Sequence, residues 1–459
     1  MSNPGDADQT PITSVRQLAD HIAVGCKPAA QFRIGTEHEK FGFRLPDLTS
    51  PPYLPADGHP GSIRDLLRHL AQSGGDPILD HGNIIGLRDG DASISLEPAG
   101  QLELSGAPLE TLHDTKAEFD AHFAQVRCPS RDLRIGFAPL GFHPTATRAD
   151  MPWMPKGRYA IMRRYMPTVG RFGLDMMTRT CTVQVNLDYA SEHDMVRKLR
   201  VSLLLQPLAT ALFANSPFKE GAPSGFLSTR AQAWTDTDNQ RSGIPAVFFE
   251  DGFGFERYAE WLIDDVPMYF IYRDSAYIDV SGKSFRDFID GRLHNVAGVQ
   301  PTVGDFADHM TTAFTDVRLK RYLEMRGADA GSLEMMVAQS ALWVGLLYDD
   351  AALTAVERLL RGATWRDAVA LRLAVPREGL MAQFRGRDLR ALAADVVAIA
   401  RDGLRARNRR GTGEHDESIY LAPLEAIAAG APTQAETWLA RYHGDWQGDV
   451  RHVFAEAAI

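Results

Sequence analysis

The sequence predicts an α+β fold, with strands and helices segregated rather than alternating. Three observations carry this expectation. Strand signals cluster between residues 32 and 189, long helical patterns lie between and after them, and from about Leu333 onward nearly every segment reads as helix. No internal repeat or low-complexity linker interrupts the 459 residues, so one compact unit over 1–459 is expected, with a strand-rich core over about 30–330 and a helical portion over about 331–459.

Taken in order, Ser14 and Gln17 form an S-x-x-Q capping box, which predicts a helix running to about Val24 with Gly25 as its stop. Strands are expected in FRIGTEHEKFGF (32–43), SISLE with QLELSG (93–106), LRIGFAPLGF (133–142) and TCTVQVNLDY (180–189). Helices are expected from about Leu109 to Val126 and in SEHDMVRKLRVSLLLQPLATALFANS, which is apolar along one stripe. VRLKRYLEMRGADAG (317–331) reads by itself as a helix carrying a surface ion-pair network, although a carboxylate ringed by cations also suits a phosphate-and-metal site. Beyond it, LEMMVAQSALWVGLLYDD, TWRDAVALRLAV and DLRALAADVVAIARDGLRAR are helical and mostly set apart by Gly or Pro.

The chain is 44% hydrophobic and 24% charged, ordinary globular composition with enough apolar material for a sizeable core. Its net charge is -10, and the longest basic run, RARNRR at 405–410, suits the C-terminal end of a helix, so nucleic acid is not an expected partner. Cys26, Cys128 and Cys181 fall in no CxxC or Cys/His spacing, which favours a reducing compartment. MSNPGDADQT lacks the regions of a signal peptide, and no apolar run nears the roughly 20 residues that span a bilayer. A cytoplasmic protein with no membrane partner is expected.

Strand alternation places Glu37, Glu39, Phe41 and Phe43 on one face and Ile34, Thr36, His38 and Lys40 on the other. Paired carboxylates beside aromatic rings are either a solvated strand face or, if enclosed, a site needing a counter-ion such as Mg²⁺. In the strand at 182–189, Thr182, Gln184, Asn186 and Asp188 share a polar face that a one-sided wet sheet would also show. Glu97 and Glu103 flank Pro98, Ala99 and Gly100, a turn or bulge that aims both carboxylates one way or simply ends a strand. Arg158, Arg163 and Arg164 in KGRYAIMRRY are anion anchors or solvent-facing charges. SGKS at 281–284 has Tyr277 where a phosphate-binding loop needs Gly, and GFGFER at 252–257 has Arg257 where a dinucleotide fingerprint needs Gly. No G-x-S-x-G and no thiol with an assigned base suggests covalent catalysis.

In the same order along the chain, GTEHEKFGF, SISLEPAGQLELSGAPLETLH, PKGRYAIMRRYMPTVG, GLDMMTRTCTVQVNLDY, ATALFANSPF, WTDTDNQRSG, GFGFERY, DVPMYFIYR and VRLKRYLEMRGAD resemble the glutamate-cysteine ligase family in its plant and proteobacterial branch. The resemblance extends from about Phe32 to Trp446. It implies a glutamine synthetase-like fold, in which a curved antiparallel sheet forms an active-site bowl surrounded by helices, with a helical C-terminal portion. It also implies ATP as co-substrate, Mg²⁺ as cofactor and the product γ-glutamylcysteine, formed through γ-glutamyl phosphate as the first step of glutathione biosynthesis.

By the same resemblance Glu37, Glu39, Glu97, Glu103, Gln184 and Glu324 form the metal set. Arg326 and Arg321 stabilise the transferred phosphoryl group, and Asn186 joins them in nucleotide binding. Arg158 and Arg230 take substrate carboxylates, Met177, Thr178, Thr180 and Trp234 shape the glutamate site, and Tyr269 lies near cysteine. Glutamate, cysteine and ATP are the implied small-molecule partners of a monomer or homodimer. A related ligase with another amine acceptor, a Mg²⁺-dependent phosphoester hydrolase and a non-catalytic binding protein are the competing expectations. Cys181, which shares parity with Val183, Val185 and Leu187, is expected in the core. Lys116, Val337, Val280 and Asn295 stand where the plant branch carries regulatory thiols, so a plant-style disulfide switch is not expected.

Overall fold

A computed structural model describes residues 8–56, 58–411 and 415–459. Its centre is an antiparallel sheet built from β1 (Ile34–Arg44), β2 (Asp76–Asp80), β3 (Asn83–Asp89), β4 (Ala92–Leu96), β5 (Leu102–Ser105), β6 (Ile135–Ala138), β7 (Thr182–Leu187), β8 (Val317–Leu319) and β9 (Leu323–Asp329). The strand order is β8-β9-β7-β1-β5-β4-β3-β2, open at both ends. The eleven-residue β1 organises it: residues 34–38 pair with β7, 37–40 with β5, and 41–44 with β6. The helices are α1 (Val15–Ala23), α2 (Ile63–Ser73), α3 (Leu112–Leu133), α4 (Gly157–Tyr165), α5 (Gly173–Arg179), α6 (Glu192–Leu212), α7 (Thr229–Ala233), α8 (Leu333–Leu347) and α9 (Leu389–Arg407), with shorter ones between.

The period-two pattern of β1 sends its two sides to different covers. Thr36 hydrogen-bonds Ser340 of α8 at 3.0 Å, and the His38 ring meets Phe119 of α3 at 4.6 Å. These helices close the even-numbered face. On the odd face, Phe41 and Phe43 pack with Ala138, Phe218, Trp446, Val453 and Phe454, so the end of the chain seals the second half of β1. That leaves Glu37 and Glu39 facing a recess. Cys181 is fully buried with Phe41 and Phe43 rather than with Val183 and Val185, because regular pairing begins only at Thr182.

α1 starts at Ser14, whose hydroxyl accepts from the Gln17 N–H at 3.2 Å. The reciprocal half of the box is displaced by one residue, since Gln17 Oε1 accepts from the Thr13 N–H at 2.8 Å. Gly25 follows the helix and lies against the β8–β9 turn, where an added Cβ would come within 2.2 Å of the Arg321 carbonyl. Glycine is required there by close approach. α8 is buried from Met335 to Leu347 and crosses α9 at Gly403, where a Cβ would come within 2.0 Å of the Gly345 carbonyl.

Two expectations change. The helix expected over 317–331 is a hairpin, β8 and β9, with Arg318 directly opposite Glu324 and β9 pairing onward to β7. Its charges are spaced as i,i+4 helix pairs would be, but the strand partners supplied by β7 decide the conformation. β2 and β3 were not anticipated; their short apolar runs join through His81 and Gly82, both left-handed with φ of 46° and 78°, the chemistry of a two-residue hairpin. Among the described residues no helix is long and apolar enough to cross a membrane.

Candidate active site

The register of the sheet assembles a row of polar side chains from strands far apart in sequence. Glu39 lies opposite Glu103, Glu37 opposite Gln184, and Asn186 opposite Glu324. Glu37, Glu39, Glu103, Gln184 and Glu324 are all at most 9% exposed, which rules out a solvated strand face. Buried carboxylates need partners, and each finds different ones.

At the β9 end, Glu324 accepts from Arg318 Nε at 2.8 Å, Lys320 Nζ at 3.1 Å and Arg326 Nη1 at 2.5 Å. Against the cost of burial, these three cations hold its carboxyl well below the usual range. Arg326 Nη1 also donates to Gln184 Oε1 at 2.7 Å. The amides of Gln184 and Asn186 donate to Glu37 at 3.2 and 3.0 Å. At the β5 end, Glu103 accepts from the Ser95 hydroxyl at 2.7 Å, and Glu39 accepts from the Thr182 N–H at 3.0 Å.

Glu39 and Glu97 have weaker support. Burial, then the nearby charges of Glu97 and Glu103, push Glu39 well above the usual carboxylate range. Burial and the Glu103 charge push Glu97 up to about 7. A cation between them would relieve this repulsion, and oxygen donors of this kind suit a hard divalent ion. Among the described residues no three His, Cys, Asp or Glu groups gather at metal-ligand spacing.

Cations face this carboxylate pair across a pocket of about 90 Å³ that is lined by Glu39, Glu97, Arg158, Met177, Thr180, Arg230, Trp234 and Arg326. A neighbouring recess continues past Arg230, Trp234 and Arg326 to Asp316 and Arg372. The position of Arg230 is set by Asp329 at the end of β9. Asp329 accepts from the Ser216 and Ser228 hydroxyls at 2.6 and 2.8 Å; Ser228 caps α7, and Ser216 accepts the Arg230 N–H at 3.2 Å. Arg230 Nη2 then donates to the Arg326 carbonyl at 2.8 Å, while its Nε has no partner among the described residues. The Trp234 ring is fixed edge-on to Phe314 at 6.1 Å.

Glu37, Glu103, Gln184, Asn186 and Glu324 lie along the sheet beside the pocket rather than in its lining, and Arg321, Tyr269 and Thr178 lie apart from both the lining and that row. Arg321 is exposed at the β8–β9 turn and bonds the His21 carbonyl and ring. Tyr269 is 1% exposed, donates to Asp238 at 3.1 Å and lies under Arg241. Thr178 donates its hydroxyl back to the Leu174 carbonyl at 2.8 Å within α5. Other residues were not anticipated, Gln101 and Tyr159 in the lining and Lys156 behind it. Gln101 donates to the Met177 and Thr180 carbonyls at 3.2 and 3.1 Å and so ties the β4–β5 turn to α5. Lys156, whose ammonium donates to the Leu96 carbonyl at 2.7 Å, is lowered to about 8 by burial against the pull of Glu97. Tyr159 donates to the same carbonyl at 3.0 Å. The KGRYAIMRRY segment signalled the arginines, and nothing in its spacing distinguished Lys156 or Tyr159.

Comparisons with known proteins fit this geometry. The family model described as glutamate-cysteine ligase family 2 matches residues 33–456. A chloroplastic glutamate-cysteine ligase B of Oryza sativa subsp. japonica is 49% identical over 447 residues, covering 97% of this chain and 87% of its own. A chloroplastic glutamate-cysteine ligase of Arabidopsis thaliana is 49% identical over 440 residues, covering 96% and 82%. Among solved structures, a glutamate-cysteine ligase from Francisella tularensis in complex with AMP superposes with a TM-score of 0.54 at 13% identity, covering 93% of this chain and 89% of that one, a likeness of fold. The names of the plant relatives overturn the cytoplasmic expectation, since those proteins are chloroplastic. Unpaired cysteines report a reducing environment and do not distinguish one reducing compartment from another.

Proposed function

We propose that this chain, which belongs to glutamate-cysteine ligase family 2, joins the γ-carboxylate of glutamate to the amine of cysteine using ATP. A carboxylate oxygen does not leave when an amine attacks. Transfer of the terminal phosphoryl group of ATP makes γ-glutamyl phosphate and ADP. The cysteine amine then adds to the acyl carbon, a C–N bond forms, the C–O bond breaks, the amine proton is released and phosphate departs. The products are γ-glutamylcysteine, ADP and phosphate, the first step of glutathione biosynthesis.

The observation that carries the reading is a buried pocket with carboxylates at one side and guanidinium groups at the other. In it, Arg158 and Arg230 take substrate carboxylates, Met177, Thr180 and Trp234 enclose the glutamate chain, and Arg326 meets the negative charge on the phosphoryl group. Glu37, Asn186 and Glu324 mark the nucleotide end of the row. Thr178 orders α5 beneath the glutamate site, and Tyr269 backs the cysteine side through Tyr165 and Phe314. Arg321 has no place in this scheme.

Mg²⁺ fits the residues present, because it commonly takes only one or two protein carboxylates and completes its shell with water and substrate phosphates. Glu39 and Glu97, supported by Glu103, would hold it; Glu37 and Gln184 lie alongside. When bound it would neutralise negative charge on the nucleotide phosphates.

Phosphate release from ATP by the purified chain is the test. Release that requires glutamate, cysteine and Mg²⁺ together supports the ligase. Release with another amine in place of cysteine supports a related ligase, and cleavage of a phosphoester without any amino acid supports a hydrolase. Sedimentation distinguishes monomer from homodimer.

A further inference from the structure

The back of the sheet carries a second cavity, away from the substrate pocket. It lies where α3 passes β3, β4 and β5 and encloses about 390 Å³, within the roughly 300–1,000 Å³ typical of small-molecule sites. Leu87, Ile94 and Leu104 give it a buried apolar floor. Leu104 is adjacent in β5 to Glu103, so alternation turns it to the side opposite the carboxylate row. The charge of the lining has one sign: Asp89 and Glu118 are acidic, and among the described residues no Lys or Arg lines the cavity.

His122 makes this more than an acidic surface. Its ring lines the cavity and is 4% exposed, yet neither nitrogen has a hydrogen-bond partner among the described residues. The ring is held edge-on to His38 at a centroid distance of 5.4 Å. Burial and the Lys40 charge lower its pKa well below the usual range, so it is neutral, with one N–H and one bare acceptor nitrogen. Glu118 lies one turn earlier on α3. Its Oε1 accepts the Ala107 N–H at 2.8 Å, while Oε2 has no partner among the described residues. Buried polar groups without partners are unfavourable unless something supplies them.

We propose that this cavity is a binding site for a small organic amine. The ammonium group is taken by Glu118 Oε2 and the bare His122 nitrogen, with Asp89 adding negative charge, and the carbon portion rests on Leu87, Ile94 and Leu104. A metal ion fits less well, because among the described residues no three metal-ligating groups gather here and the floor is apolar. An anion would meet two carboxylates and no cation.

Calorimetric titration with benzylamine tests the proposal, with glutamate and ADP present at saturation to fill the substrate pocket and benzoate as the oppositely charged control. The expected result is one saturable benzylamine site per chain, no benzoate binding, at least a tenfold weaker affinity in Glu118→Gln, and loss of binding in Ala121→Trp. Ala121 is exposed on α3 and lines the cavity, so the larger ring plugs it without touching the core. Circular dichroism establishes that both variants are folded. Absence of saturable binding, equal binding of benzoate, displacement of benzylamine by raised glutamate, or unchanged affinity in folded Ala121→Trp overturns the proposal.

Discussion

At the scale of single residues, two buried ionisable groups make the protein's stability depend on pH in opposite senses. Glu97 is raised from its ordinary value to about 7 by burial and by Glu103. Its protonated form suits the fold, so this contribution is complete below the unfolded value and is lost as pH rises through about 7. A cation at Glu39 and Glu97 removes that loss. Thermal melts should therefore show Mg²⁺ with ADP raising Tm more at pH 8 than at pH 6, and Glu97→Gln should flatten the difference. Lys40 is lowered to about 7 by burial, and its ammonium donates to the Leu102 carbonyl at 3.4 Å. Its contribution is present above the unfolded value and is lost as pH falls through about 7. Lys40→Met should raise Tm, and by more at pH 6 than at pH 9. Strand parity placed Lys40 on the face away from Glu39, but its lowered pKa follows from the burial that α3 imposes on that face, where the Phe123 ring lies 5.9 Å from the ammonium.

Among the secondary elements, the β8–β9 hairpin shows why local charge patterns misled. Arg318, Lys320, Glu324 and Arg326 have the spacing of a surface helix, and the sequence offered no turn signal between Leu319 and Leu323 as strong as those elsewhere. In the hairpin the same residues place one carboxylate inside three cations, fully buried. Removing one partner of such a set leaves charge uncompensated, at a cost of about 3–5 kcal/mol. Urea unfolding of Glu324→Gln should show a loss of that order, with the like charges of Arg318, Lys320 and Arg326 facing one another. β1 and β7 were legible because their polar and apolar residues alternate, whereas β3 buries Ile84 to Leu87 consecutively and β2 offers only Ile78 and Leu79 side by side, so neither shows a period of two. Glu37, Glu39, Gln184 and Asn186 were readable as faces, yet which carboxylate is paired and which is strained was not, since the partners come from other strands.

For the whole molecule, distant parts of the sequence are joined by two hydrophobic clusters on the sheet. One hydrophobic cluster runs from Leu18 to Ile427, and a second joins Phe41, Phe43 and Cys181 to Trp446, Val450, Val453 and Phe454. The Phe43 and Phe454 rings lie 4.9 Å apart. Phe454→Ala should cost about 3–5 kcal/mol in chemical denaturation, the range for truncating a buried ring. It should also weaken glutamate binding more than it weakens ADP binding, because the seal lies at the Glu39 end of β1. The sequence by itself determined the class, the strand parities, the helical C-terminal portion and, through ordered resemblance, the family. Tertiary structure alone decided that the face of Glu37 and Glu39 encloses a pocket, that Arg321 points away from it, that Asp329 positions Arg230, and that His122 borders a second cavity. The division has a physical cause: periodicity is a property of neighbouring residues, but desolvation and charge compensation are set by whatever distant segment packs against them.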